Sequence, residues 1–132
     1  MEQLFKCWKY TDDLDVAVPT NARTTKNGHY AVWVRDGIEP DEEFLGQSAL
    51  GADPDMKIGM TLPERLTLEV KYFVETDRHL DVKGGTRCSG SRNSDGLVPS
   101  VSWYPYVGAV NVNRNNVDHT NSGWGLRRVV SS

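Results

Sequence analysis

From Val110 the chain alternates Val-Asn-Val-Asn, and a period of two is the repeat of a strand with one face in a core and the other turned outward. The polar members of that alternation are unusual. Five of the eight Asn fall between Asn111 and Asn121. Asn is poor in strands and helices because its amide competes for backbone hydrogen bonds, and it is welcome in turns, caps and exposed recognition surfaces. Trp103, Tyr104 and Tyr106 stand just before the tract. Rigid aromatic area beside adaptable amides is the combination that recognition loops favour, so a binding surface is expected here.

Patterning predicts the other elements. Leu4 to Trp8 and Tyr30 to Val34 carry aromatic and aliphatic residues and read as strands, the second stopped by Arg35-Asp36-Gly37, with a polar loop from Pro19 to Gly28 between them. Ile38 to Ile58 is acidic and broken by Pro and Gly, with room for a short helix at Glu42 to Leu50. The clearest helix runs from Leu62 to Thr76. Thr61 and Glu64 have capping-box spacing, Pro63 sits in the first turn, and Leu62, Leu66, Val70 and Phe73 recur at helical intervals. After His79-Leu80-Asp81 come glycine turns and short strands: Thr86 to Ser89, Val98 to Trp103, Val110 to Asn113, and Leu126 to Val130. No repeat or linker divides the chain. A helix followed by a run of short antiparallel strands is an α+β arrangement, the helix lying on the sheet.

A chain of 132 residues fits one domain and needs no metal or disulfide to hold a core. Lys and Arg number 15 against 18 Asp and Glu, a net charge of −3, and the cations are spread out. No basic stripe tracks a phosphate backbone, so nucleic acid is not an expected partner. Arg127 and Arg128, the closest cationic pair, are expected to end a strand. Cys7 and Cys88 lack Cys-x-x-Cys spacing, which leaves two buried reduced thiols as the simplest reading. The first residues carry acids and no apolar run of signal-peptide length, and no stretch approaches the ~20 apolar residues of a membrane span. No membrane insertion is expected. A cytoplasmic or virion-associated location fits, since virion proteins also lack such signals.

Cys88-Ser-Gly-Ser-Arg-Asn-Ser-Asp-Gly-Leu-Val-Pro-Ser-Val-Ser-Trp103, then Gly108, the Asn-rich tract, and the closing Gly125-Leu-Arg-Arg-Val-Val-Ser131 resemble the C-terminal half of variable proteins of diversity-generating retroelements. The resemblance covers roughly Thr61 to Ser132. It implies a single C-type-lectin-like domain, with a constant scaffold over 1–99 and a diversifiable ligand-binding region over about 100–128, in a protein of phage or bacterial origin. In that family, template adenines are replaced during reverse transcription, and Asn codons of AAC type can become many amino acids but never a stop. The implied partner is a macromolecule, a protein or cell-surface ligand, with no cofactor and no chemistry. The expected ligand-binding residues are Tyr104 and Tyr106 as aromatic anchors, Asn111, Asn113, Asn115, Asn116 and Asn121 as donors and acceptors, Arg114 and His119 as charged contacts, and Trp124.

Rival chemistries find little support in the residues. Calcium-dependent sugar lectins of the wider fold use a Glu-Pro-Asn or Gln-Pro-Asp loop and a later Trp-Asn-Asp strand; Glu39-Pro40-Asp41 is a partial echo in the wrong half, and no Trp-Asn-Asp exists. No metal is expected. Formylglycine-generating enzymes of the same fold need cysteines acting together, and here they stand singly; a structural or assembly role is the other alternative. His29, His79 and His119 are scattered and read as surface or hydrogen-bonded residues. Ser89, Ser91 and Ser94 lack a nucleophile elbow. The Asp12-Asp13-Leu14-Asp15 cluster and the acidic loop from Glu39 to Asp55 read as solvated. Trp103 reads as core; Trp124, flanked by glycines, divides evenly between core and exposed loop.

Overall fold

The Val-Asn alternation does form a strand, and its valines are where the core begins. In the computed structural model, which describes residues 5–131, the central sheet has the order β1 (Lys6–Lys9), β7 (Ala109–Asn115), β6 (Val98–Tyr104), β4 (Gly85–Arg87), β8 (Trp124–Gly125). Two short antiparallel ribbons flank it, β2 (Thr20–Asn21) with β5 (Ser91–Arg92) and β3 (Val32–Val34) with β9 (Val129–Ser131). Three α-helices accompany the strands among the described residues: single turns α1 (Leu14–Ala17) and α2 (Ala49–Ala52), and the long α3 (Leu62–Thr76). The architecture is mixed α+β. The strands are not all antiparallel, because β1 runs parallel to β7 and β4 parallel to β8.

Register assigns each face. Val101 pairs with Val112 and Trp103 with Val110, so these residues point to one side of the sheet, where all three valines are buried. Leu62, Leu66, Val70 and Phe73 of α3 pack on that side together with Phe5, Val18 and Cys88. Full burial of each such aliphatic side chain stabilises the fold by roughly 1.5–3 kcal/mol. The helix begins as its spacing predicts: Thr61 Oγ1 accepts from the Glu64 N–H at 3.2 Å, and Glu64 Oε1 accepts from the Thr61 N–H at 2.8 Å. It stops at Asp77, which takes a left-handed backbone with φ 59°. Glu64 also receives Arg23 Nε at 2.7 Å and Nη2 at 2.9 Å, tying the first part of the chain to the helix start.

The helix hides something its apolar stripe does not announce. Arg65 and Glu69 are also fully buried, 2.9 Å apart, between α3 and Asp81. Asp81 Oδ2 accepts from Arg65 Nε at 3.1 Å and Nη2 at 2.9 Å, while its Oδ1 accepts from Arg127 Nη2 at 2.7 Å. Thr86 Oγ1 donates to Asp81 and accepts from Arg127 Nε at 2.9 Å, and Arg127 also donates to the carbonyls of Gly37 and Ile38. Two guanidiniums and two carboxylates thus balance in the interior. Burial alone would depress the Arg65 pKa, but Asp81 and Glu69 outweigh it and hold it above its ordinary value. His79 Nδ1 lies 2.8 Å from Glu69 Oε2, its ring stacked between Phe73 and Trp103.

Several expectations need correction. Arg127 and Arg128 do not end a strand; they precede β9, Arg127 as the buried ion-pair partner and Arg128 bridged to Gly59. The acidic loop is not simply solvated. Asp53 is buried and accepts from the N–H groups of Lys57, Ile58 and Gly59 at 2.7–3.0 Å and from Ser89 Oγ at 2.7 Å. Burial opposes its charge, yet those four donors hold its carboxyl below the usual range. The loop needs such an anchor because its backbone N–H groups have no ladder to join. The helix expected at Glu42 to Leu50 is instead a 3-10 turn at Glu42–Phe44 and the single turn α2. The loop from Pro19 to Gly28 contains β2 and a 3-10 turn at Thr25–Asn27. Cys88 is fully buried but Cys7 only partly so. The Leu4 end of the first expected strand lies outside the described residues.

Candidate functional site

Opposite α3, the other face of the sheet is open. The residues alternating with the core valines all project there: Asn111, Asn113 and Asn115 from β7, Ser100, Ser102 and Tyr104 from β6, and Lys6 and Trp8 from β1. Arg87 of β4 and Trp124 of β8 close one side, and His119 and Asn121 of the connecting loop form part of the rim. Together they bound a cleft of about 750 Å³, within the range of small-ligand sites. Val110 and Val112 are buried beneath it while Asn113 is exposed and Asn111 half-buried, as the alternation predicts.

Trp124 owes its place to glycine. A Cβ on Gly85 would lie 2.3 Å from the Trp124 ring, so only glycine lets the indole lie against β4. That indole covers the Arg87 guanidinium, whose Cζ is 5.6 Å from the ring centroid. Arg87 itself is only 2% exposed. Its Nη1 makes a long 3.5 Å contact with Asn115 Oδ1, and its Nε and Nη2 have no hydrogen-bond partner among the described residues. Burial pushes its pKa below the ordinary value. Among the described residues, those bounding the cleft include no Asp or Glu. A chain with net charge −3 therefore has a cationic cleft, built on Arg87 and Lys6.

Of the residues expected from sequence, Tyr104, Asn111, Asn113, Asn115, His119, Asn121 and Trp124 line the cleft. Tyr106, Arg114 and Asn116 do not. Tyr106 is 92% exposed and meets Tyr104 edge-on with ring centroids 6.3 Å apart, outside the cleft wall. Arg114 falls on the even positions of β7 and so projects to the far face, with its guanidinium over the Tyr10 ring at 4.3 Å. Asn116 follows the strand and is exposed. Asn115 is not purely a recognition group, because its Oδ1 also accepts from Ser100 Oγ at 3.2 Å. Trp124, left open between core and loop, stands half-buried on a strand.

Sequence reading missed Lys6, Trp8, Arg87, Ser100 and Ser102. The serines carried a signal: they alternate with Val101 in the same period of two. Arg87 and Trp8 carried none, since only strand pairing brings β4 and β1 to this face. Glu39 and Asp41, the calcium-loop echo, are engaged elsewhere: Glu39 accepts from the Lys83 and Gly84 N–H groups and Asp41 from the Arg128 N–H.

No family model, curated protein or solved structure matches the chain. Among the described residues no group of three or more His, Cys, Asp or Glu is placed to hold a metal ion, and no helix is long and apolar enough to cross a membrane.

Proposed function

We propose that this chain is a ligand-binding protein that presents a diversifiable C-terminal surface on a constant scaffold, a variable protein of the diversity-generating-retroelement type with a C-type-lectin-like fold. One observation carries the reading: the amides of Asn111, Asn113, Asn115 and Asn121 gather with Tyr104 and Trp124 around one cleft, while the valines between them hold the core. Side chains on the open face can change without touching the packing beneath. A surface meant to vary requires that separation. The ligand is a protein or cell-surface molecule, and residues 100–128 are the segment that varies.

Binding is favoured over catalysis by where Cys88 and the carboxylates lie, although Cys7 is among the residues that line the cleft. A formylglycine-generating enzyme would need cysteines acting together, and Cys88 is sealed in the core, where burial pushes its thiol up to about 12. Among the described residues no carboxylate bounds the cleft to act as a base.

The test is genetic and then physical. The surrounding DNA should hold a reverse transcriptase gene and a near-copy of the codons for residues 100–128 that differs at adenines. A display library varied at Asn111, Asn113 and Asn121 should yield folded binders to many targets. A library in which most members fail to fold would sink the reading.

A further inference from the structure

We propose that Arg87 is an oxyanion receptor at the floor of the cleft, and that it takes a carboxylate of the bound ligand. The inference rests on the reading of the cleft as a ligand site. Buried charges in proteins are paired, because an uncompensated one is costly. Arg65 and Arg127 obey this rule through Glu69 and Asp81. Arg87 is equally buried, yet no acid meets it among the described residues. The indole of Trp124 offsets part of that cost, but a ring face leaves the N–H donors unmet.

Geometry and charge select the ligand. Nε and Nη2, the two donors without partners, form one edge of the guanidinium fork, and that edge matches the two oxygens of a carboxylate. The neighbouring polar groups, Ser100, Ser102, Asn113 and Asn115, are neutral. One planar monoanion is balanced by one guanidinium, whereas a phosphate dianion would call for further cations at the same point. Trp124 lies between Gly123 and Gly125 and over the guanidinium, so the incoming group turns the indole aside. Occupancy is thereby reported by two side-chain N–H groups, Arg87 Nε and Trp124 Nε1.

The experiment is a ¹H–¹⁵N NMR titration of the full chain with sodium acetate, acetamide and inorganic phosphate at constant ionic strength. Acetate should shift both N–H signals saturably in the millimolar range, and acetamide should not. N-acetylaspartate amide and glucuronate then distinguish a peptide from a sugar as the source of the carboxylate. Arg87→Met should weaken acetate binding roughly tenfold or more, the scale of a lost charged hydrogen bond. Arg87→Lys, which keeps the charge without the fork, should also bind more weakly than the parent. No saturable acetate shift, or the same shift in Arg87→Met, overturns the proposal; saturation by phosphate with none by acetate overturns the choice of carboxylate. Should Arg87→Met not fold, the titration of the unaltered chain decides, because the Arg87 Nε–H reports contact at that atom. Folded binders from the Asn library alongside a silent Arg87 would remove this proposal and leave the wider reading standing.

Discussion

Asp81→Asn tests the buried charge network most directly. The aspartate is fully buried and serves two guanidiniums at once, Arg65 at 2.9 Å and Arg127 at 2.7 Å. The amide keeps the shape but removes the charge, and it turns an NH₂ donor toward a guanidinium. Arg65 is then left with Glu69, and Arg127 with carbonyls and the Thr86 hydroxyl. Breaking one buried pair costs about 3–5 kcal/mol, and because the two pairs share one acid their losses do not simply add. We therefore expect a loss of about 4–5 kcal/mol, a large part of the roughly 5–15 kcal/mol that stabilises a domain. In a thermal melt this lowers Tm by roughly 10–20 °C for a chain of this size. Urea denaturation followed by circular dichroism gives the free energy. Glu69→Gln should cost less, since Arg65 retains Asp81, and Arg127→Met should cost less in the Asp81→Asn background than in the parent. A loss under ~1 kcal/mol for Asp81→Asn would refute the view that the carboxylate holds two buried cations in place.

Exposed Asn113 and Asn116 should accept Ser or Tyr together with a stability change under ~1 kcal/mol, while Asn115→Ala costs more because Ser100 and Arg87 lose their acceptor, and Val112→Asp unfolds the domain; thermal melts rank all three. With a binder selected from the varied library, Tyr104→Ala should weaken affinity by ~2 kcal/mol and Tyr106→Ala by less, since only Tyr104 lines the cleft; equal effects by calorimetry would contradict that placement. Burial raises the Cys88 thiol from 9.0 to about 12, so the fold favours the neutral form: its stabilising contribution is complete below pH 9 and is lost as pH rises toward 12. Cys88→Ala should flatten that alkaline fall in stability. Asp53 behaves oppositely. Its carboxyl is held down by backbone N–H groups and Ser89, so its contribution is present above the ordinary aspartate range and is lost as pH falls below it; Asp53→Asn should blunt acid unfolding.

What sequence alone determined was local. Thr61, Glu64 and Pro63 start α3 through contacts three residues apart, and the Leu62 to Phe73 stripe gives its buried side, so the helix was legible to its ends. The Val-Asn alternation likewise settled which way residues 110–113 face, because a pleated strand has no other choice, and carried one residue further it would have turned Arg114 away from the binding face on which it was expected. Tertiary structure decided the rest. Whether β1 joins β7 in parallel depends on a pairing across the length of the chain, and it alone brings Lys6 and Trp8 to the cleft. Arg65 and Glu69 sit at helical spacing that suits a solvated pair; they are buried because Asp81 and Arg127 meet them from other elements. Asp41 and Asp53 looked like solvent-facing acids until the N–H groups of Arg128 and Gly59 came to them. Periodicity and capping act over a turn or two and leave a mark in the order of residues. Charge partners are chosen by space, and the same Arg reads as a surface residue, an ion-pair member or, at Arg87, a cation with no acidic partner among the described residues according to what the fold sets beside it.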